Sequence, residues 1–232
     1  PDGYHADGWL LLINGVQSSH VIVGQPRMLD FEYMRWIAAV LDSHIQTHLN
    51  PDKLRITHLG GGACSLARYC ADVYPNSRNT VVELDARLAE YVRDWFDIPK
   101  SPRVKIRVGD ASTITRSFAP ASRDVVIRDV FAVDKTPAEL TGVDFVRTVD
   151  HSLAPGGLYI LNCGDDRALN AARAEATALL EVFEYVSIVS DSAMLKGRRR
   201  GNIILAGSHA PLPQLGSVEA ASISRVLMGG GV

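Results

Sequence analysis

Four short segments of the chain end in glycines or acids whose types and spacing suit a common chemistry. Leu59-Gly60-Gly61-Gly62-Ala63-Cys64-Ser65 is a glycine run leading into a helix, where missing β-carbons let backbone N–H groups approach a ligand. Roughly twenty residues further on, Val81-Val82-Glu83-Leu84-Asp85 places Glu83 at a strand end, where a carboxylate can accept both hydroxyls of a ribose. Val108-Gly109-Asp110-Ala111 sets an acid where it can accept from an exocyclic amine such as that of adenine. Asp124-Val125-Val126-Ile127-Arg128-Asp129 then runs an apolar strand into a charged end. A carboxylate at Asp129 can hold an attacking amine and take its proton, which alkylation requires because a protonated amine has no lone pair. Each segment also has a plain structural reading. The glycines could form only a tight turn, Glu83 and Asp85 could be helix-start charges, and Asp129 could be a cap or simply pair with Arg128. The conjunction at successive strand exits is much more specific than any one member.

The nucleoside can be narrowed. A dinucleotide fingerprint G-x-G-x-x-G starting at Gly60 calls for glycine at 65, where Ser65 stands, so an NAD-dependent reductase is the lesser alternative. The order of glycine loop, ribose acid and Gly-Asp is that of S-adenosylmethionine-type cofactors, whose sulfonium activates an adjacent carbon toward nucleophiles. No metal is expected. His44 and His48 have i, i+4 spacing but lack the intervening Glu of a metalloprotease helix, and a solvated helical face explains the pair. Cys64, Cys70 and Cys163 form no C-x-x-C pair, which suggests neither a disulfide framework nor a zinc knuckle and fits a reducing cytoplasm.

The elements that must position these residues follow from periodicity. The chain has 232 residues, 47% hydrophobic and 22% charged, with 24 Lys+Arg against 26 Asp+Glu, which predicts one large core and excludes disorder. The formal charge of −2 and a single short basic cluster, Arg198-Arg199-Arg200, argue against nucleic acid as a partner. No apolar run is long enough to span a membrane, and no basic-then-apolar leader opens the chain, although Pro1-Asp2 without Met suggests a true start upstream. Trp9–Ile13 and Val16–Val23 flank Asn14-Gly15, a strong hairpin signal. Phe31, Met34, Ile37, Ala38, Leu41 and Ile45 recur at helical spacing over Leu29–Leu49, with Asp30 as a candidate cap and a stop near Asn50-Pro51. Beyond Leu54, strands are expected at Arg55–Gly60, Thr80–Leu84, Val104–Gly109, Asp124–Asp129 and Leu158–Cys163. Helices fit near Ser65–Val73, Ala86–Phe96, Val143–Leu153 and Leu169–Glu181. Tyr185–Val189 and Asn202–Ala206, joined by a basic turn without a helix, should close one sheet edge as an antiparallel hairpin. The expected fold is α/β: a doubly wound, mostly parallel, seven-stranded sheet with an N-terminal β-hairpin and helix. The divisions are 1–52 for that appendage, 53–209 for the Rossmann-like nucleoside-binding domain, and 210–232 for a tail with a short helix at Val218–Met228.

Over about residues 9 to 208 the chain resembles the spermidine synthases (polyamine aminopropyltransferases), which have the class I methyltransferase fold. The resemblance rests on the Asn14-Gly15-Val16-Gln17-Ser18 hairpin, Phe31-Glu32-Tyr33, Gly60-Gly61-Gly62, Val82-Glu83-Leu84-Asp85, Gly109-Asp110-Ala111, Asp129 and Leu153-Ala154-Pro155-Gly156-Gly157. It implies that Glu83 binds the ribose and Asp110 the adenine, with Gly60, Gly61, Gly62, Leu84 and Ala111 also at the cofactor. It further implies that Asp129 holds the substrate amine and acts as base, while Gln17 and Tyr33 line the site. The implied activity is aminopropyl transfer from decarboxylated S-adenosylmethionine to a small amine, in polyamine biosynthesis. The departures matter as much. The family loop reads Gly-Gly-Gly-Asp-Gly-Gly where this chain has Ala63, Cys64 and Ser65, so the acid that grips the donor's terminal ammonium is missing. That loss favours intact S-adenosylmethionine and methyl transfer as the alternative, with a non-catalytic nucleoside-binding protein as a second. The family's Asp-Ser-Ser-Asp-Pro becomes Asp129-Val130-Phe131-Ala132-Val133-Asp134, and Met34 replaces a glutamine. A homodimer is expected, because Trp9, Leu11, Trp36 and Val40 would otherwise be exposed.

Overall fold

The computed structural model describes residues 1–132, 135–213 and the backbone of 224–228. Strands β1 (Gly8–Ile13) and β2 (Val16–Ile22) form the antiparallel hairpin, with Ile13 opposite Val16. Asn14 and Gly15 have φ of 51° and 80°, the positive pair that a tight two-residue turn demands. Helix α1 (Glu32–His48) follows. Its N-cap is Phe31 and no side chain caps it, so Asp30 is not the cap; it stands one residue too early. The expected face of Met34, Ile37, Ala38, Leu41 and Ile45 is buried, and so are Trp36 and Val40. Trp36 is 4% and Val40 1% exposed, which removes both from the surface that a dimer was expected to cover.

The remaining chain alternates as expected: β3 (Arg55–Leu59), α2 (Ser65–Val73), β4 (Arg78–Glu83), α3 (Ala86–Trp95), β5 (Val104–Val108), α4 (Ala111–Arg116), β6 (Arg123–Arg128), α5 (Gly142–Ser152), β7 (Leu153–Asp165), α6 (Asn170–Leu180), β8 (Tyr185–Val189), α7 (Ser192–Leu195) and β9 (Gly201–Ser208). The short helices α4 and α7 lie where none was foreseen, each started by an acid, Asp110 and Asp191, that accepts first-turn N–H groups. The sheet runs β10-β8-β9-β7-β6-β3-β4-β5, parallel from β7 to β5 and antiparallel at the other end. Strand β10 (Ser224–Met228) replaces part of the helix expected at Val218–Met228, whose residues 218–223 lie outside the described residues. It pairs antiparallel with β8, so β8 is an inner strand and the sheet has eight strands among the described residues. A short apolar run is ambiguous between helix and strand by periodicity, and the open edge of β8 decides it. Strand alternation divides the core between two faces: Ile56, Val125, Ile127, Leu158 and Ile160 pack with α1, whereas Leu59, Val126, Tyr159 and Leu161 pack with α5 and α6.

The chain leaves β3 outward to β4 and β5, then returns to β6 on the opposite side, which makes the β3–β6 junction the topological switch point. The strand ends there are in register: Leu59 pairs with Val82 and Arg128, and Glu83 pairs with Val108. Asp129 N–H donates to the Leu59 carbonyl at 2.8 Å, Gly60 N–H to Val82 at 2.9 Å, and Gly109 N–H to Glu83 at 2.9 Å. Gly60 has φ of 91°, and a β-carbon placed on it would stand 2.2 Å from the Asp129 carbonyl oxygen. Arg128 does not pair with Asp129. Adjacent strand residues face opposite ways, and the fully buried Arg128 guanidinium donates instead to Glu175 Oε1 at 2.6 Å and to the Leu140 carbonyl. Gly60→Ala adds both a forbidden φ and a backbone clash, and should cost about 3 kcal/mol or more. Urea unfolding checks this, and a loss below about 1 kcal/mol would show that β3 and β6 can separate without penalty.

Candidate active site

At the carboxyl ends of the parallel strands lies a cleft of about 1380 Å³. All ten residues singled out in the sequence line it: Gln17, Tyr33, Gly60, Gly61, Gly62, Glu83, Leu84, Asp110, Ala111 and Asp129. The glycine loop is held from two sides. On one side, Glu83 Oε2 accepts Gly61 N–H at 3.0 Å while Oε1 accepts Asp85 N–H at 2.9 Å. A β-carbon on Gly61 would come within 2.9 Å of Glu83 Oε2, so the missing side chain makes room for the carboxylate. Glu83 is therefore not a helix-start charge. Asp85 has that role, accepting the Arg87 and Leu88 N–H groups at the start of α3. Both Glu83 oxygens retain lone pairs for further donors, as a ribose diol requires.

On the other side, the hairpin is fastened to the loop. Ser19 Oγ accepts Ala63 N–H at 3.0 Å, and Ser65 Oγ donates to the His20 carbonyl at 2.9 Å. Gly62 has φ of 47°, and its missing β-carbon would lie 2.5 Å from Ser19 Oγ. Gln17 reaches the cleft through this attachment. Ala63 does not line the cleft; its methyl is wholly buried in an apolar cluster with Val21, Cys64 and Ala67. Cys64, where the family pattern carries glycine, takes the left-handed conformation at φ 59°. Asp110 Oδ1 accepts Thr113 N–H at 2.7 Å and caps α4. Hydrogen bonding from the Thr113 side chain, and then from its backbone N–H, holds the Asp110 carboxyl below the usual range and keeps it charged at the cleft rim.

Asp129 sits where three elements converge. Its Oδ2 accepts from Tyr33 Oη, at the start of α1, at 3.0 Å, and its Oδ1 accepts from Asn162 Nδ2, on β7, at 2.9 Å. Burial raises the Asp129 pKa, which the two donors only partly offset. Burial, with Asp129 beside it, also pushes the Tyr33 hydroxyl well up, so it remains a neutral donor. Sequence reasoning missed Asn162. Its signal was a single amide inside the apolar strand Leu158–Cys163, and its partner lies 33 positions away in sequence. Asp134 of the altered strand-end motif lies outside the described residues.

Other candidates are placed away from this chemistry. His44 and His48 do not form a solvated face: His44 is buried, and their Nε2 atoms bond the carbonyls of Gly156 at 2.9 Å and Pro211 at 2.8 Å. The three cysteines are unpaired and buried, and burial pushes the Cys64 and Cys163 thiols up to about 12, which leaves them inert. Among the described residues, one group has donors close enough for a cation, Asp2 with His5 and His20, none of which lines the cleft. Its members bond one another, with His5 Nδ1 and His20 Nε2 at 2.9 and 2.7 Å from Asp2 Oδ2. Tyr33→Phe removes a donor to the ionised Asp129 and should raise that carboxyl's pKa further. A carboxyl-carbon NMR titration measures it, and an unchanged or lowered value would refute the assigned hydrogen bond.

No family model matches the chain. The fold is that of a probable spermidine synthase from Corynebacterium glutamicum ATCC 13032, with 59% identity, a TM-score of 0.90, and coverage of 95% of this chain and 79% of that one. A mouse eEF1A lysine and N-terminal methyltransferase is 33% identical over 128 residues, 50% of this chain and 18% of that protein. A polyamine aminopropyltransferase of Vibrio vulnificus (strain CMCP6) is 26% identical over 140 residues, 60% of this chain and 45% of its own length. The chain thus spans less than half the length of these curated relatives.

Proposed function

Because the chain belongs to the spermidine synthase family, we propose that it is a transferase that moves an aminopropyl group from decarboxylated S-adenosylmethionine to a small-molecule amine, as in polyamine biosynthesis. The observation that carries this reading is the buried Asp129 carboxylate, held by Tyr33 and Asn162 at the switch point between the glycine loop and Glu83. The donor fits the residues present: glycines at 61 and 62 leave space that a β-carbon would fill, and Glu83 offers lone pairs for a ribose diol. Asp110 in turn offers a charged acceptor for the adenine amine. What the nucleoside supplies is a sulfonium-activated carbon and a neutral thioether leaving group.

The chain's own residues handle the acceptor. Asp129 attracts an incoming ammonium and takes one proton from it, which frees the nitrogen lone pair. The amine then attacks the activated carbon as the carbon–sulfur bond breaks, so one N–C bond replaces one C–S bond and the new ammonium carries the positive charge. Tyr33 fixes Asp129 Oδ2 toward this task. Methyl transfer from intact S-adenosylmethionine is the second reading. It is favoured by Ala63, which puts no acid beside the donor's terminal group, and by the likeness to the eEF1A methyltransferases. Residues 1–52 would serve as hairpin and helix over the nucleoside-binding unit, 53–209, with 210–232 as tail. Three unpaired buried cysteines support a reducing, cytoplasmic setting. Among the described residues no helix is long and apolar enough to cross a membrane.

Asp129→Asn should lower kcat by about 100- to 10,000-fold, the range of a lost general base. Calorimetry should show methylthioadenosine binding unchanged, and an active variant would refute the base assignment. In the intact enzyme kcat/KM requires the ionised carboxylate and falls as pH drops through the Asp129 pKa, so the acid limb should lie above the ordinary 3.8. Calorimetric titration with S-adenosylmethionine and with its decarboxylated form separates the two donors, and binding of neither sinks both readings. A homodimer is also proposed, supported by the exposed hairpin residues Trp9 and Leu12, 45% and 55% exposed. Light scattering should give twice the chain mass, and Trp9→Glu should shift it to monomer; a wild-type monomer argues against the dimer.

A further inference from the structure

Outside the cleft, Asp2, His5 and His20 place three potential ligand atoms within 4.8 Å of one another. Asp2 Oδ2 lies 2.9 Å from His5 Nδ1 and 2.7 Å from His20 Nε2, so both rings meet at a single carboxylate oxygen. The local chain is shaped around that oxygen. Asp2 Oδ1 accepts the Tyr4 and His5 N–H groups at 2.8 Å each, which leaves Oδ2 for the rings. Gly8 opens β1 beside it, and a β-carbon there would stand 2.1 Å from Oδ2. The Asp2 side chain is 7% exposed, and the ion-pair partners around it are two imidazoles rather than Arg or Lys. Rings that are neutral bring an enclosed carboxylate no compensating charge.

We propose that Asp2, His5 and His20 form a binding site for a divalent cation of the zinc class, held by Asp2 Oδ2, His5 Nδ1 and His20 Nε2 with water as its fourth ligand. Two imidazoles and one carboxylate suit zinc, whereas magnesium and calcium prefer oxygen donors throughout. A tetrahedral zinc spaces its nitrogen and oxygen ligands about 3.4 Å apart, so the two short contacts must open by about 0.5–0.7 Å. His5 can supply that movement, because its side chain is 47% exposed. Nothing ties up the lone pair required of His20. Its buried Nδ1 has no hydrogen-bond partner, so no donor obliges that atom to accept, and the hydrogen of the neutral ring can sit there while Nε2 faces the ion. An entry path exists as well. His5 lines a second cavity of about 530 Å³, with Ile22, Leu29, Ala38 and Asp42, which has room for the bound water. The arginines of that cavity are engaged elsewhere, Arg27 on Asp72 and Arg35 on the Leu29 and Asp30 carbonyls. The role is structural, since none of the three ligands lines the cleft. The cation pins the segment before β1 to β2 at His20, the residue whose own carbonyl accepts from Ser65 Oγ of the glycine loop. This inference stands independently of the transferase reading.

The test uses the untagged full chain, stripped with EDTA and dialysed, with zinc chloride as the probe. Calorimetry should find a single zinc per chain, and zinc at about 100 times its Kd should raise Tm by about 5–10 °C. Cobalt(II) should give the strong visible absorption of a four-coordinate nitrogen and oxygen site, without sulfur-to-cobalt charge transfer. His5→Ala changes an exposed side chain, so the metal-free Tm should hardly move. Zinc binding should weaken by about 100-fold or more, since even an outer partner of a metal ligand is worth about 10- to 100-fold. Asp2→Asn should weaken it comparably. His209→Ala, at a histidine that bonds Asp150 instead, should bind zinc as the wild type does. A wild type that binds no zinc, undiminished binding by His5→Ala, or loss of binding in His209→Ala would each overturn the site. Thiolate-to-cobalt bands would overturn it too, because they would move the ion to a cysteine.

Discussion

Gly60 meets the Asp129 carbonyl where β3 and β6 run side by side, and this close approach sets the geometry of everything above it. The two strands belong to opposite halves of the sheet, and a crevice opens where their exits diverge. Because Leu59, Val82 and Arg128 are in register, the residues after them leave the sheet at one level. The glycine loop, Glu83 and Asp129 are thereby brought into one cleft without any long-range side-chain contact being needed to align them. Any β-carbon at Gly60 would push the strands apart at the floor of the cleft.

The same pleat that aligns the acids also sorts the charges. Arg128 and Asp129 are neighbours in sequence, yet alternation turns the guanidinium through the sheet to Glu175 and leaves the carboxylate in the cleft. Had Arg128 faced Asp129, it would have stabilised the charged acid, lowered its pKa and cancelled its attraction for an ammonium. Glu175 therefore does more than satisfy a buried cation. With Arg128 held on the far face, burial outweighs its charge and the hydrogen bonds from Asn162 and Tyr33, and the Asp129 pKa stays raised.

The hairpin belongs to the site through equally local contacts. Ser19 and the His20 carbonyl hold the backbone and side chain of residues 63 and 65, so the glycine loop is clamped between Glu83 and β2. That clamp accounts for the position of Ala63. Its methyl fills an apolar cluster under the hairpin, and a carboxylate there would have to leave that cluster to reach the cleft. With no acid at 63, the negative field of the cleft comes from the other acids that line it, Glu83, Asp110 and Asp129 together with Asp85, Glu139, Asp165 and Asp166. In a chain of formal charge −2 these are a local field rather than part of a global one.

Much of this was legible in the residues alone, because local rules write it. Glycines mark close backbone approach, apolar runs of five or six residues between helical stretches mark parallel strands, and acids at strand ends mark the ligand side. Hence Gly60, Gly61, Gly62, Glu83, Asp110 and Asp129 could be named from such rules before their proximity was known, whereas Gln17, Tyr33, Leu84 and Ala111 came from the family resemblance. Other features depend on pairings between distant segments, which no local pattern encodes. The second oxygen environment of Asp129 comes from Asn162 across a strand pair, and the burial of Trp36 and Val40 comes from the sheet beneath α1. Likewise, 224–228 is a strand because β8 offers it an edge. Composition and periodicity determined the fold class, and the strand-end motifs pointed to the cleft. The tertiary structure decided which carboxylate is a cap, which is a clamp and which is buried between two donors, because each of those roles depends on what the rest of the chain packs against it.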